Sequence, residues 1–476
     1  MKVMRVLLIA MPDTVSALDP VMRVPNLGLC SIAGNLEGCD VKVIDLVFHN
    51  HHLTRLLTRL MEEFKPEIVG LSAMSFQYAS ACRVACICRS VAPNAKVVLG
   101  GYHASLMYQE VASEDKAELF DFIIRGEGEA TFSSLVHQII SGKGNVSRIP
   151  GLSFRKDGEF HHNLPASPVN LDALRPPNRD CRILDRARFL GHRFDCVETS
   201  RGCTMGCKFC SITRMYGRTI RKFSLDRVIA ELKQLKSKGT EGVFFVDDNI
   251  TLDVTRLKML CSRIIAEKLN TMSYAIQASV PGIASDPELA ELLGRAGFRW
   301  VFLGIESGIS RNLEAMGKIG VLDNTRHAVS LLQEQGVCVF GGFILGHPDD
   351  TQLDITSTFK FALDIGVDHP IMQCLTPYPK TETREQLLKC DLITNLDDFS
   401  RYNGFICNVR TKHLTNKELN RAIFRGGLRL YFNPAYLKRS RFWKYRPSLW
   451  PKLIVNNIRY QIGALTGDIF ASRHKW

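Results

Sequence analysis

Short apolar runs separated by longer amphipathic stretches dominate the first part of the chain. Val3 to Met11, Val41-Lys-Val-Ile-Asp45, Ile68-Val-Gly-Leu-Ser72, Lys96-Val-Val-Leu-Gly-Gly101 and Phe120-Asp-Phe-Ile-Ile124 are too short and too evenly apolar for surface helices, and each predicts a strand buried in a parallel sheet. Leu53 to Phe64 and Ala79 to Val91 carry helical character between them. The alternation predicts a doubly wound α/β domain over residues 1–141, whose ligands meet the carboxyl ends of the strands. Those ends hold Asp45, Ser72, Ser75, Gly100, Gly101 and His103.

Residues 142–193 lose this rhythm and hold Pro150, Pro165, Pro168, Pro176 and Pro177, so they read as a linker. From Phe194 the alternation resumes, from Cys196 to Thr199 through to His369 to Leu375. About six βα units are expected over 194–390, forming a full or partial TIM-like barrel with its working end at the carboxyl ends of the strands. Residues 391–476 show no such alternation and form a separate C-terminal region.

Composition adds limits. The 476 residues are 45% hydrophobic and 23% charged, which excludes a disordered chain. No stretch has the roughly 20 apolar residues of a membrane span and the N-terminus does not read as a signal peptide, so a cytoplasmic protein is expected. Fifteen cysteines without a secretory signal suggest reduced thiols, some of them metal ligands, rather than a disulfide framework. The net charge of +13 is uneven: Arg421 to Trp476 holds twelve Lys and Arg against one acid, Asp468.

Cys203, Cys207 and Cys210 form C-x3-C-x2-C just after a predicted strand, interleaved with Gly206 and Phe209. Three thiolates on one loop suit three irons of a four-iron, four-sulfur (4Fe-4S) cluster and leave the fourth iron open to a ligand. Structural zinc wants a fourth Cys or His at familiar spacing; Cys181 and Cys196 lie upstream at unsuitable spacing and no His follows closely. Three unrelated packing cysteines are the competing reading. Cys82, Cys86 and Cys88 fall on a predicted helix, the first two on one face, and read as core residues.

The segment Ser200-Arg-Gly-Cys-Thr-Met-Gly-Cys-Lys-Phe-Cys210 resembles the signature of the radical S-adenosylmethionine (radical SAM) superfamily. The resemblance implies an iron that chelates the amino and carboxylate groups of S-adenosylmethionine, Phe209 near its adenine, and a 5′-deoxyadenosyl radical on one-electron reduction. It also implies cofactor contacts from Asp247-Asp248-Asn249 after the second barrel strand, from Glu306 and Ser307 after the fourth, and from Gln277 and Gln373. Turn formation at strand ends is the alternative role for these polar residues.

A second resemblance covers the first domain. Val24-Pro-Asn-Leu-Gly-Leu29, Leu36-Glu-Gly38, Asp45, Gly100-Gly-Tyr-His103 and Arg125-Gly-Glu-Gly-Glu129 look like the Rossmann-like cobalamin-binding domain that precedes the radical domain in one large subfamily. It implies cobalamin contacts from Asp45, Ser72, Ser75, Gly100, Gly101, His103, Gly126 and Glu127, with glycines letting the backbone approach the corrin. The Asp-x-His-x-x-Gly signature is absent, since the chain reads Met11-Pro-Asp-Thr-Val-Ser-Ala-Leu18 there, so a histidine-ligated cobalt is not expected. Satisfaction by backbone is the alternative for His103. The N-terminal cysteines Cys30, Cys39 and Cys82 do not match the second-cluster layout of methylthiotransferases.

These resemblances imply a cobalamin-dependent radical SAM enzyme served by an external one-electron donor of flavodoxin or ferredoxin type. C-methylation at an unactivated carbon is expected, because a carbon radical takes up a methyl group without acid or base and no general-base motif stands out. Ring formation or rearrangement is the alternative, and an iron-sulfur redox sensor that binds nucleic acid is the non-enzymatic rival. Arg429 to Arg446 interleaves cations with aromatics, which suits an anionic membrane interface, RNA, or a helical bundle closing the barrel. No RNA-binding motif lies in that tail, which leaves the helical bundle and the membrane as equal readings; the second would bring peripheral contact with the inner face of the membrane and a hopanoid, isoprenoid or other natural-product substrate.

Overall fold

The computed structural model describes residues 3–14, 22–49, 52–142, 145–184, 187–189, 191–318 and 320–442, with isolated positions 451, 455, 458 and 476. They divide into two compact units, the first built on residues 3–14 and 25–187, the second on residues 22–24 and 188–442.

In the first unit, parallel strands β1 (Met4–Ala10), β2 (Cys39–Asp45), β3 (Ile68–Ser72), β4 (Lys96–Gly100) and β5 (Phe122–Ile124) lie in the order β2-β1-β3-β4-β5. Their apolar runs are dictated by burial on both faces: Val6, Leu7, Leu8 and Ile9 of β1 have no exposed surface. The helix Leu53–Phe64 buries Leu53, Leu57, Leu60, Met61 and Phe64, a single stripe at helical spacing. Each such side chain contributes roughly 1.5–3 kcal/mol on full burial. The strand order reverses direction between β1 and β3, the point where doubly wound sheets open a crevice for ligands.

Residues 152–162, expected within the linker, instead extend this sheet. Strands β6 (Leu152–Lys156) and β7 (Glu159–His162) form a hairpin, and β6 pairs antiparallel with β5. Asp157 and Gly158 both take positive φ, 53° and 89°, as the tightest hairpin turn requires. Leu152 and Phe154 are buried, so the hairpin covers an otherwise bare edge of β5.

The second unit is an open half-barrel of six parallel strands in chain order: β8 (His192–Val197), β9 (Gly242–Phe245), β10 (Ser273–Ser279), β11 (Phe298–Glu306), β12 (Cys338–Leu345) and β13 (His369–Cys374). Two antiparallel pieces, Arg188–Phe189 and Met22–Arg23, continue it beyond β8. The helices Leu225–Ser237, Val254–Ala266, Pro287–Arg295, Val321–Glu334 and Gln352–Asp364 alternate with the strands. The expected partial barrel is therefore what forms.

The start of the basic-aromatic tail belongs to this unit. Tyr436 and Phe442 are buried with Phe189, Phe194, Trp300 and Cys338 in one cluster. Tyr431 donates its hydroxyl to the Pro370 carbonyl at 2.7 Å, and Arg441 N donates to Asp368 Oδ1 at 3.0 Å. These rings serve the barrel core rather than a membrane or bases; the tail from residue 443 lies, apart from isolated positions, outside the described residues.

Candidate active site

The three-cysteine loop grows from the end of β8. Asp247, 1% exposed after β9, accepts from Thr199 N at 3.0 Å, Thr199 Oγ1 at 2.7 Å and Ser200 Oγ at 2.5 Å. Arg256 completes the anchor, donating to Thr199 Oγ1 at 3.1 Å and to the Phe223 carbonyl at 2.7 Å. Asp248 accepts from Gly202 N at 3.0 Å, so two adjacent carboxylates grip the stem of the loop. Gly202 has φ +89°, and a Cβ there would lie 2.4 Å from the Thr219 carbonyl oxygen, so only glycine fits.

Cys203, Cys207, Phe209 and Cys210 follow on this loop, all half-buried, and Cys210 N closes a turn on the Cys207 carbonyl at 3.2 Å. None of the cysteines is in a disulfide. Burial pushes all three thiols up, that of Cys210 to about 12. Burial, with Asp247 adding to it, pushes Asp248 up to about 6. Tyr378, on the segment after β13, is close enough for Cys210 to reinforce the upward push that burial gives its hydroxyl.

The other barrel candidates divide. Glu306 is 7% exposed and pairs with Lys318, whose Nζ donates to Oε1 at 2.6 Å. Ser307 Oγ accepts from Ile309 N at 3.1 Å and Asn249 Oδ1 accepts from Thr251 N at 3.2 Å and Thr251 Oγ1 at 2.7 Å, so both take the turn-forming role at a strand end. Gln277 donates to the Asp247 carbonyl at 3.3 Å and Gln373 is half-buried at the end of β13. Lys318 was not singled out by the sequence pattern; its one signal is a lone cation in the apolar run Ala315-Met-Gly-Lys-Ile-Gly-Val321.

At the carboxyl edge of the first sheet, Gly101 has φ +92°, and a Cβ would lie 2.7 Å from the Ala73 carbonyl oxygen. Gly100 and Gly126 border open space: a Cβ on Gly100 would meet only the Leu71 carbonyl oxygen at 3.8 Å, and one on Gly126 nothing within 4 Å. Asp45 is engaged by Asn26 N at 2.8 Å and Val47 N at 3.2 Å, and Glu127 by Val169 N at 2.9 Å. Ser72 is half-buried and Ser75 buried. His103 is 1% exposed and stacks on Tyr78 with ring centroids 4.3 Å apart, a core position. On the helix Tyr78–Val91, Cys82 and Cys88 are buried as expected but Cys86 is exposed. The buried face centres on Ala81, Ala85 and Cys88, and the 100° step per residue carries Cys86 past its edge.

Residues 197–362 match the radical SAM superfamily and residues 15–136 the B12 binding domain. An uncharacterised methyltransferase from Pyrococcus horikoshii is 31% identical over 93% of this chain and 95% of its own length. The chain belongs to the cobalamin-binding radical SAM enzymes. An anaerobic magnesium-protoporphyrin IX monomethyl ester cyclase from Cereibacter sphaeroides is 28% identical over 80% of this chain and 62% of its own. The radical SAM methyltransferase TsrM from Kitasatospora setae, solved with cobalamin and a 4Fe-4S cluster bound, shares the fold with a TM-score of 0.68 and 19% identity, covering 83% of this chain and 76% of that one.

The site suits the cofactors of this family. Among the described residues no three His, Cys, Asp or Glu side chains gather as one mononuclear ion demands. Three free thiols spread along one loop fit instead a cluster in which each takes its own iron. Bare backbone at Gly100 and Gly126 fits the approach of a flat macrocycle to the first sheet. A histidine lower ligand has no support at His103, which the core holds.

Proposed function

We propose that the protein methylates an unactivated carbon of a small-molecule substrate, using S-adenosylmethionine and cobalamin. The observation that carries this reading is a three-thiol loop, with no fourth cysteine at ligand spacing in the sequence, at the carboxyl edge of a radical SAM half-barrel, in a chain whose relative over nearly its full length is named a methyltransferase. Bound together, the cluster and cobalamin supply reductive cleavage of S-adenosylmethionine and a transferable methyl group. The chain's own residues hold and orient. Cys203, Cys207 and Cys210 are the proposed iron ligands; Asp247 and Asp248 fix their loop. Phe209, Glu306, Gln277 and the strand-end turns at Asn249 and Ser307 are the proposed surroundings of S-adenosylmethionine. Gly100, Gly101, Gly126 and the neighbouring Asp45, Ser72, Ser75 and Glu127 are the proposed rim of the cobalamin site.

Ring formation is the second reading, favoured by the likeness to the Cereibacter sphaeroides cyclase. Anaerobic reconstitution with iron, sulfide and hydroxocobalamin, then dithionite and methyl-labelled S-adenosylmethionine, separates the two. Methyl transfer yields both 5′-deoxyadenosine and S-adenosylhomocysteine; ring formation yields 5′-deoxyadenosine alone. Formation of neither overturns the assignment.

Reductive cleavage consumes an electron, so an external donor of flavodoxin or ferredoxin type belongs to the proposal. No helix among the described residues is long and apolar enough to cross a membrane. Lys417, Arg421, Arg425 and Arg429 are all exposed and recur every fourth residue along the helix Asn416–Tyr431, which supports contact with an anionic lipid surface and a hydrophobic substrate met there. Sedimentation with anionic liposomes, lost at high salt, tests it.

A further inference from the structure

The segment after β11 carries a buried cation that the reaction as set out above does not use. Lys318 is 8% exposed, and its ammonium donates to Glu306 Oε1 at 2.6 Å and to the Gly304 carbonyl at 3.3 Å. The preceding residues dock on the cysteine loop, where Lys208 N donates to the Met316 carbonyl at 3.1 Å. Gly317, the residue before Lys318, packs directly on the same loop, since a Cβ there would lie 2.8 Å from the carbonyl oxygen of Gly206, the neighbour of Cys207. Glu306 takes φ +69°, a left-handed conformation that a non-glycine residue seldom adopts, where the register between β11 and β12 slips. Such strain persists only where the surroundings enforce it, and it clusters at functional sites.

Two ions buried together gain little net stability over an apolar pair of the same size, so packing alone gives weak reason for this one. Reduction adds one negative charge to a cluster whose three thiolates already make it anionic. A buried ammonium lowers the energy of that added charge and a buried carboxylate raises it, with little water to screen either. We propose that Lys318 and Glu306 are positioning charges that set the reduction potential of the cluster held by Cys203, Cys207 and Cys210, Lys318 favouring the reduced form and Glu306 opposing it. The electron comes from the external donor and stays on the cluster; the pair exchanges neither proton nor electron. The inference rests on the cluster assignment proposed above.

The test is a redox titration of the reconstituted full chain without S-adenosylmethionine, followed by electron paramagnetic resonance, with iron and sulfide counted first. Lys318→Met is expected to move the midpoint to more negative potential, Glu306→Gln to more positive potential, and Lys318→Arg to leave it near wild type. Opposite signs from the two partners are what a merely structural pair does not produce. Lys318→Met strands the Glu306 carboxylate; if it fails to fold, Glu306→Gln and Lys318→Arg decide the matter. Unmoved potentials in cluster-loaded variants, with weakened binding of S-adenosylmethionine, would assign Lys318 to the cosubstrate and overturn the proposal. A wild-type chain that takes up no cluster would instead sink the cluster assignment itself.

Discussion

Asp247 and Thr199 are joined twice, the Thr199 amide reaching Oδ2 at 3.0 Å and its hydroxyl reaching Oδ1 at 2.7 Å. The carboxylate thereby ties the end of β9 to the stem of the cysteine loop. Asp247→Ala leaves buried donors on Thr199 and Ser200 unpaired, at a cost of roughly 3 kcal/mol. The expected outcome is a lower thermal midpoint and a several-fold loss of iron retained on reconstitution, with Asp247→Asn intermediate. Full iron content in the alanine variant contradicts the anchoring role.

Cys207 sits half-buried on a loop, so its replacement by alanine costs the fold no more than about 1 kcal/mol. The visible absorption of the cluster and the formation of 5′-deoxyadenosine are both expected to fall to background. Hydroxocobalamin uptake, assigned to the first unit, is expected to stay at about one per chain. Residual 5′-deoxyadenosine at wild-type rate removes Cys207 from the proposed ligand set.

Both sheets were legible because strands buried on two faces leave uninterrupted apolar runs, as in β1, and the cysteine motif because its three cysteines are neighbours in sequence. The hairpin β6–β7 was masked by surrounding prolines, although Asp157-Gly158 is a turn signal in its own right. The pair of Met22–Arg23 with Arg188–Phe189 joins two-residue pieces too short to carry any period. Lys318 and Glu306 meet only through a left-handed residue that leaves no mark in the sequence. Asn249 and Ser307 were placed at the right strand ends, but their side chains are drawn into local turns, as short polar residues are wherever a helix or turn begins. His103 and the aromatic residues Tyr436 and Phe442 look exposed by local context and are buried by distant partners.

Gly101 and Gly126 give contrasting tests of the edge proposed to hold cobalamin. A side chain at Gly101 collides with Ala73 backbone, its Cβ 2.7 Å from the carbonyl oxygen, and adds left-handed strain, so Gly101→Ala is expected to destabilise the first unit by roughly 2–4 kcal/mol. Gly126 has φ +79° but no atom within 4 Å of a Cβ. Gly126→Leu is therefore expected to cost only about 1–2 kcal/mol while filling space above the strand end. Its hydroxocobalamin affinity should drop at least about tenfold, equivalent to 1.4 kcal/mol, as read from absorbance after gel filtration. Unchanged uptake removes this edge from the site.

His103 makes the first unit sensitive to acid. Burial pushes its imidazole down to about 4 from an ordinary 6.5, with Glu110 pulling weakly the other way. The unfolded chain therefore takes up a proton before the folded chain does, and stability present above pH 6.5 is lost as pH falls toward 4. The full loss amounts to about 3 kcal/mol. Asp13 works in the opposite sense, since burial pushes it up to about 6 from 3.8 and stability is lost as pH rises through that interval. His103→Phe keeps an aromatic ring against Tyr78 and removes the titration. Urea unfolding of both proteins across this interval should show the stability of wild type relative to His103→Phe falling steadily with pH, and Asp13→Asn in the same background should leave that trend in place. A difference between wild type and His103→Phe that does not vary with pH means the imidazole titrates alike in both states, and the buried stack on Tyr78 is not the source of acid sensitivity.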